Sequence, residues 1–246
     1  MILARKLLGA GGLVGGSEAT TALTAYTPTL YNTASLSDTN DSWTASLGAG
    51  FTGRVIWCCV TGAGPINTPN PISSVTIGGN SMTKLIEVGD AEQWSGSATM
   101  TLAYYYYQDD GALGTSATLT ITMDEIQYHL GGLIFIVDGA ASLLESYGGS
   151  ADYVGQMPTI GSAFSSTSAS GWSFAAANNL NSVVSGTEFF TNFSNDTKID
   201  FGTNDFIGWA YNSPEDGSST AISHPINFYS GSDTNRAELF ISMEPA

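Results

Sequence analysis

The sequence predicts an all-β protein: an antiparallel β-sandwich of jelly-roll type, preceded by a short N-terminal arm. Three observations lead there. Short apolar or alternating runs recur at spacings of roughly 8–12 residues, as the strands of a sandwich do. Gly, Asn, Asp, Pro and Ser separate these runs, and no helical period is sustained between them. Only 11% of the 246 residues are charged, against about 25% in an ordinary globular domain, so the surface must be built largely from neutral polar side chains. A chain of this length suits one large sandwich, and residues 22–246 are read as that domain.

Residues 1–21 form the arm. They hold Arg5 and Lys6, two of the six basic residues, many glycines and a single acid, Glu18. Glycines interrupt the apolar run after Leu8, which makes it a poor match to a secretory leader, and no stretch is long enough to cross a membrane as a helix. Ile2, Leu3, Leu7 and Leu8 offer apolar area to a partner surface, and Arg5 and Lys6 offer cations to its acids. These six are the candidate anchoring residues.

Strands are then expected near Tyr26–Tyr31, Trp43–Ala45, Arg54–Thr61, Ser74–Ile77, Ser81–Val88, Met100–Gln108, Ala117–Met123 and Gly132–Val137. After a Ser-rich stretch they continue near 171–177, Glu188–Phe193, Phe206–Tyr211 and Ala237–Met243. The run "VTIGGNSMTKLIEV", Val75 to Val88, reads as a hairpin in which Gly78-Gly79 or Gly79-Asn80 supplies the positive φ of a two-residue turn. Cys58 and Cys59 are adjacent inside an apolar strand, so they point to opposite faces as buried thiols and form no disulfide framework.

The run "AYYYYQDDGALG", Ala103 to Gly114, places four tyrosines in one strand. Tyr104 and Tyr106 share a face with Leu102, while Tyr105 and Tyr107 share the other with Ala103. The first pair is expected in the inter-sheet core. The second is expected under a loop, a partner or solvent, and Tyr105, Tyr107 and Trp94 are the rings that could contact a surface or a glycan.

Charge and motif exclude several function classes. A formal net charge of −16 repels phosphate backbones, so nucleic acid is not an expected partner. Nucleophilic catalysis needs a nucleophile, a base and an orienting acid. The only histidines are His129, opening "HLGGLIFIV", and His224 before Pro225, and neither has a recognisable nucleophile context. The acid pairs Asp109-Asp110, Asp124-Glu125 and Glu215-Asp216 are neighbours in sequence, whereas a glycosidase sets its carboxyls about 5–9.5 Å apart across a cleft. The segments "QDDGALG" and "SNDTKID" gather oxygen donors in expected loops and raise calcium, but neither has EF-hand spacing. No catalytic residue, metal or cofactor is expected.

The succession "GRVIWCCVTGAG", "ISSVTIGGNSMTKLIEV", "TLAYYYYQDDGALGTSATLTITM", "GGLIFIVDGAA" and "RAELFISMEPA" resembles β-sandwich proteins encoded among the virion genes of tailed bacteriophages and related prophages. The likeness spans about residues 26–246 and consists of strand order and turn placement. It implies a non-enzymatic structural protein on the exterior of a phage-like particle: a capsid decoration or head-associated protein, attached through its arm to other virion proteins and homo-oligomeric in the assembly. The absence of a heptad stem or shaft repeat favours this over a fibre. The alternative is a tail-associated receptor-binding or carbohydrate-binding module that contacts a host-surface glycan.

Overall fold

The structure is a computed structural model of the chain. It describes residues 24–25, 28–34, 38–48, 53–64, 72–89, 99–127, 129–138, 143–152, 164–165, 172–180, 195–200, 206–212, 221–222 and 235–244. Those residues form an all-β sandwich without helix, and every strand pair among them is antiparallel.

A central sheet is built from β1 (Thr24–Ala25), β2 (Thr29–Ala34), β4 (Arg54–Gly64), β7 (Thr83–Gly89), β8 (Thr99–Asp109) and β10 (His129–Asp138). Its order is β1-β10-β4-β8-β7, with β2 also on β10. On one face lies a sheet of order β3-β9-β5-β6, made from β3 (Asn40–Ser46), β5 (Ile72–Ile77), β6 (Asn80–Ser81) and β9 (Ser116–Met123). On the other lies a sheet of order β11-β17-β13-β15-β14, made from β11 (Leu143–Asp152), β13 (Trp172–Leu180), β14 (Asn195–Asp200), β15 (Phe206–Asn212) and β17 (Asn235–Glu244). A short pair, β12 (Phe164–Ser165) with β16 (Ala221–Ile222), completes the described strands. The sandwich therefore has three layers.

Two hydrophobic clusters record this layering. Val55, Trp57, Cys59, Leu102, Tyr104, Leu133, Phe135 and Val137 of the central sheet pack with Phe174, Ala176, Trp209, Leu239 and Ile241. The alternate residues Ile56, Cys58, Val60, Ala103, Tyr105, Leu130, Ile134 and Ile136 pack with Ala45, Val75, Ile77, Leu119, Ile121 and Met123. Cys58 and Cys59 accordingly lie in different cores, as period-2 geometry requires. In the first core Phe135 stacks on Phe174 with ring centroids 4.1 Å apart and on Trp57 at 6.0 Å, and Tyr104 meets Phe174 edge-on at 5.9 Å. The Tyr104 hydroxyl donates to the Leu239 carbonyl at 3.0 Å, so its polar end is satisfied in the neighbouring sheet.

The tyrosine strand needs a correction. Tyr104 lies in a core as expected, but Tyr105 is also buried, at 4% exposure, in the second cluster. Tyr106 and Tyr107 are half-buried on their respective faces. What covers Tyr105 is a third sheet, because β8 lies between two neighbours in the middle layer.

Other strands shift as well. The hairpin turn is Gly78-Gly79, with φ of 57° and 79°; both central residues are left-handed, as a type I′ turn demands. Its second arm does not stay in one sheet: β6 pairs with β5, Met82 N–H still donates to Val75 O at 2.9 Å, and β7 then joins β8 in the central sheet. The first expected strand lies later, at Thr29–Ala34, and the expected loop "SNDTKID" contains strand β14, paired with β15. β11 was not anticipated. Glu188–Phe193 and the arm, with Ile2, Leu3, Arg5, Lys6, Leu7 and Leu8, lie outside the described residues.

Candidate functional site: a hydroxyl face and its braced loop end

The outer sheet β3-β9-β5 separates its side chains cleanly by parity. Inward residues are Ala45, Leu119, Ile121, Met123, Val75 and Ile77, all buried. The outward positions are Asn40, Ser42, Thr44 and Ser46 on β3, Ser116, Thr118, Thr120 and Thr122 on β9, and Ser74 and Thr76 on β5. Cross-strand register aligns them: Ser42 opposes Thr120, Thr44 opposes Thr118, Ser46 opposes Ser116, and Thr76 opposes Thr120 from the other side. The Ser42 and Thr120 hydroxyls are 2.8 Å apart and hydrogen-bonded.

The result is a neutral lattice of hydroxyls and one amide. Its repeats are about 4.8 Å across the strands and about 6.8 Å along them. None of its ten positions carries a charge, although the whole chain has 22 acids. Alternation in "NDSWTAS" and "SATLTITM" makes this legible from sequence, since hydroxyl and apolar residues trade places at period 2. Such a face donates and accepts hydrogen bonds.

One end of this layer is braced by a buried ion pair. Arg54 opens β4 and Asp109 closes β8 directly opposite it in register, and both side chains are fully buried. Arg54 Nε donates to Asp109 Oδ2 at 2.7 Å, Nη1 to the Leu47 carbonyl at 2.7 Å and Nη2 to the Gly114 carbonyl at 2.5 Å. Asp109 Oδ1 accepts the Gly111 and Leu113 amides at 3.0 and 3.4 Å. The guanidinium thus ties the segment after β3 to the loop after β8. Leu113 of that loop abuts Gly78, which connects it to the β5–β6 turn. The segment "QDDGALG" is consequently an arginine-braced loop, and Asp109 spends both oxygens inside it.

The remaining chemistry-bearing groups are placed as follows. His129 is buried at 2% exposure and, by the parity of Leu133 and Phe135, faces away from the hydroxyl sheet. Burial pushes the Cys58 and Cys59 thiols and the Tyr104 and Tyr105 phenols well up from their ordinary values, and at Tyr105 the Glu87 carboxylate adds to the effect. Asp124 is exposed and accepts from Ser73 Oγ. No group of three or more metal-ligating side chains is found among the described residues. Tyr105 is not a surface ring, Tyr107 is half-buried, and Trp94, His224, Glu215 and Asp216 lie outside the described residues.

Sequence reasoning missed the Arg54–Asp109 pair. Its signal was an isolated arginine opening a strand that is otherwise apolar to Val60, but its partner becomes visible only once β4 and β8 are in register. Comparison with protein-family models, with curated proteins and with solved structures yields no match.

Proposed function

We propose that this protein is a non-enzymatic structural component displayed on the exterior of a phage-like particle as a decoration or head-associated protein, with the sandwich as its outward body and the N-terminal arm as its anchor. The observation that carries this reading is the division of labour in the described fold. Tyr104, Tyr105, both thiols and the Arg54–Asp109 pair are buried in the described fold, and one of its two outer sheets presents a neutral hydroxyl lattice. That arrangement suits a body exposed to solvent on an assembly, where persistence matters more than turnover. The strand-and-turn resemblance supplies the kind of assembly.

The burial of Tyr105 speaks against a glycan platform on the tyrosine strand, while Tyr107 is half-buried and Trp94 lies outside the described residues. The test is to purify particles from the cells that encode the chain and to label them intact with antibody against the sandwich. The expected result is co-purification with particles and labelling of their surface. Recovery only in the soluble fraction, or labelling only after disruption, would overturn the proposal.

A further inference from the structure

Among the described residues, sheet β3-β9-β5-β6 has two edges, and they differ. At β6 only Asn80 and Ser81 are paired before the chain crosses into the central sheet. At β3 the edge runs seven residues, from Asn40 to Ser46. An edge of that length presents alternate unpaired N–H and C=O groups, a template on which another chain can add a strand.

Register decides which groups face out. Leu47 N–H donates to the Thr115 carbonyl, and Met123 N–H donates to the Thr39 carbonyl. Odd-numbered residues of this segment therefore make the narrow hydrogen-bonded pairs with β9, and the N–H groups of Asn40, Ser42, Thr44 and Ser46 point to the free side. Two of those four, alternating with the others, are capped by side chains. The Asp41 Oδ1 accepts the Ser42 N–H at 2.7 Å, and the Tyr31 hydroxyl, reaching over from β2 of the central sheet, accepts the Ser46 N–H at 2.8 Å. Asp41 also has inward parity, with Trp43 and Ala45, so a carboxylate sits beneath the edge where an added strand would have to pack. Thr44 lies between the two caps.

We infer that Tyr31 and Asp41 guard β3, keeping it from adding the β3 edge of a second copy of this chain. A partner strand needs consecutive outward donors at about 6.8 Å intervals, and the caps on Ser42 and Ser46 leave it Asn40 and Thr44, which are not consecutive. Any self-association of the protein then uses a surface other than this edge.

The experiment is the Tyr31→Phe/Asp41→Ala double variant of the full chain, with its mass followed by light scattering over a concentration series beside the parent. The double variant is expected to associate one step further than the parent, by doubling of its mass. Adding Thr44→Pro should return it to the parent mass, because proline removes the central outward donor and is tolerated on an edge strand. A folded double variant that keeps the parent mass, or association that survives Thr44→Pro, would overturn the inference. If the double variant does not fold, Tyr31→Phe alone preserves the ring, and amide exchange at Ser46 decides: exchange several-fold faster than in the parent supports the cap, and unchanged exchange refutes it.

Discussion

Of the four consecutive tyrosines, two fill cores on opposite faces of one strand, and their energetics should say so. Truncating Tyr104 or Tyr105 to Ala should each cost about 3–5 kcal/mol in urea unfolding, as large-to-small core changes do. Tyr106 and Tyr107, which are half-buried, should cost clearly less. Tyr104→Phe isolates the bond to the Leu239 carbonyl and should cost about 1 kcal/mol. Asp109→Ala should cost about 3–5 kcal/mol, because it strands the Arg54 guanidinium in a buried site. The same cores set an alkaline limit. Cys58, Cys59, Tyr104 and Tyr105 all have folded-state pKa values raised mainly by burial. Their contribution is intact below the unfolded-state values, about 8.5 for a thiol and about 10 for a phenol. Above those values the unfolded chain ionises while the folded one cannot, so stability falls as pH rises toward the raised folded-state values. The slope approaches about 1.4 kcal/mol per pH unit for each group involved. Urea midpoints measured between pH 7 and pH 11 should be level at first and then drop, and a flat profile to pH 11 would contradict the burial of these groups. Parity at the tyrosines and cysteines was legible in the sequence. Burial of both parities was not legible from the tyrosine strand itself, because period 2 says which residues share a face and nothing about what covers it.

Strands with their own alternation or apolar runs were readable, and strands defined by their neighbours were not. β8, β9 and β10 match their expected positions closely, since "SATLTITM" alternates and "LIFIV" is a continuous apolar run. β11, "LLESYGGSAD", carries a glycine pair and little alternation, and it is a strand because β17 pairs along it with a register shift between Leu144 and Ser146. β14, "NDTKID", is rich in residues depleted from strands, yet it lies at the edge beyond β15, where tertiary context outweighs propensity. Glycine marks the close approaches. At Gly132, on β10, an added Cβ would sit 2.7 Å from Leu119 Cδ2, 3.1 Å from Ile121 Cδ1 and 3.3 Å from Cys58 Sγ. Gly132→Ala should therefore destabilise by about 1–3 kcal/mol through overpacking, with Gly132→Val worse. Thermal unfolding of the two variants checks the order, and an alanine variant as stable as the parent would mean that the hydroxyl sheet is free to move outward.

The three-layer architecture was written in the sequence as continuous apolar runs. "VIWCCV" and "LIFIV" lack the alternation of a half-solvated strand, and a run without alternation is what a strand buried on both faces requires. Reading a two-layer sandwich left one face of the tyrosine strand to be covered by a loop or a partner, whereas the chain covers it with its own sheet. This bears on how the molecule attaches to anything else. Both described cores are built between Leu30 and Ile241, and residues 1–21 lie outside the described residues, so the role of the arm is decided by removing it. Deleting residues 1–21 should leave a protein with the parent's cooperative unfolding and a Tm within a few degrees of it, since a change of about 1 kcal/mol shifts a domain of this size by only about 2–4 °C. The same deletion should abolish incorporation into particles when the truncated chain is the only copy supplied. Two measurements on one protein, calorimetry and particle content, separate the outcomes. Retained stability with lost incorporation is the signature of a detachable anchor. A large loss of stability would make the arm part of the fold, and normal incorporation would move the attachment surface onto the sandwich itself.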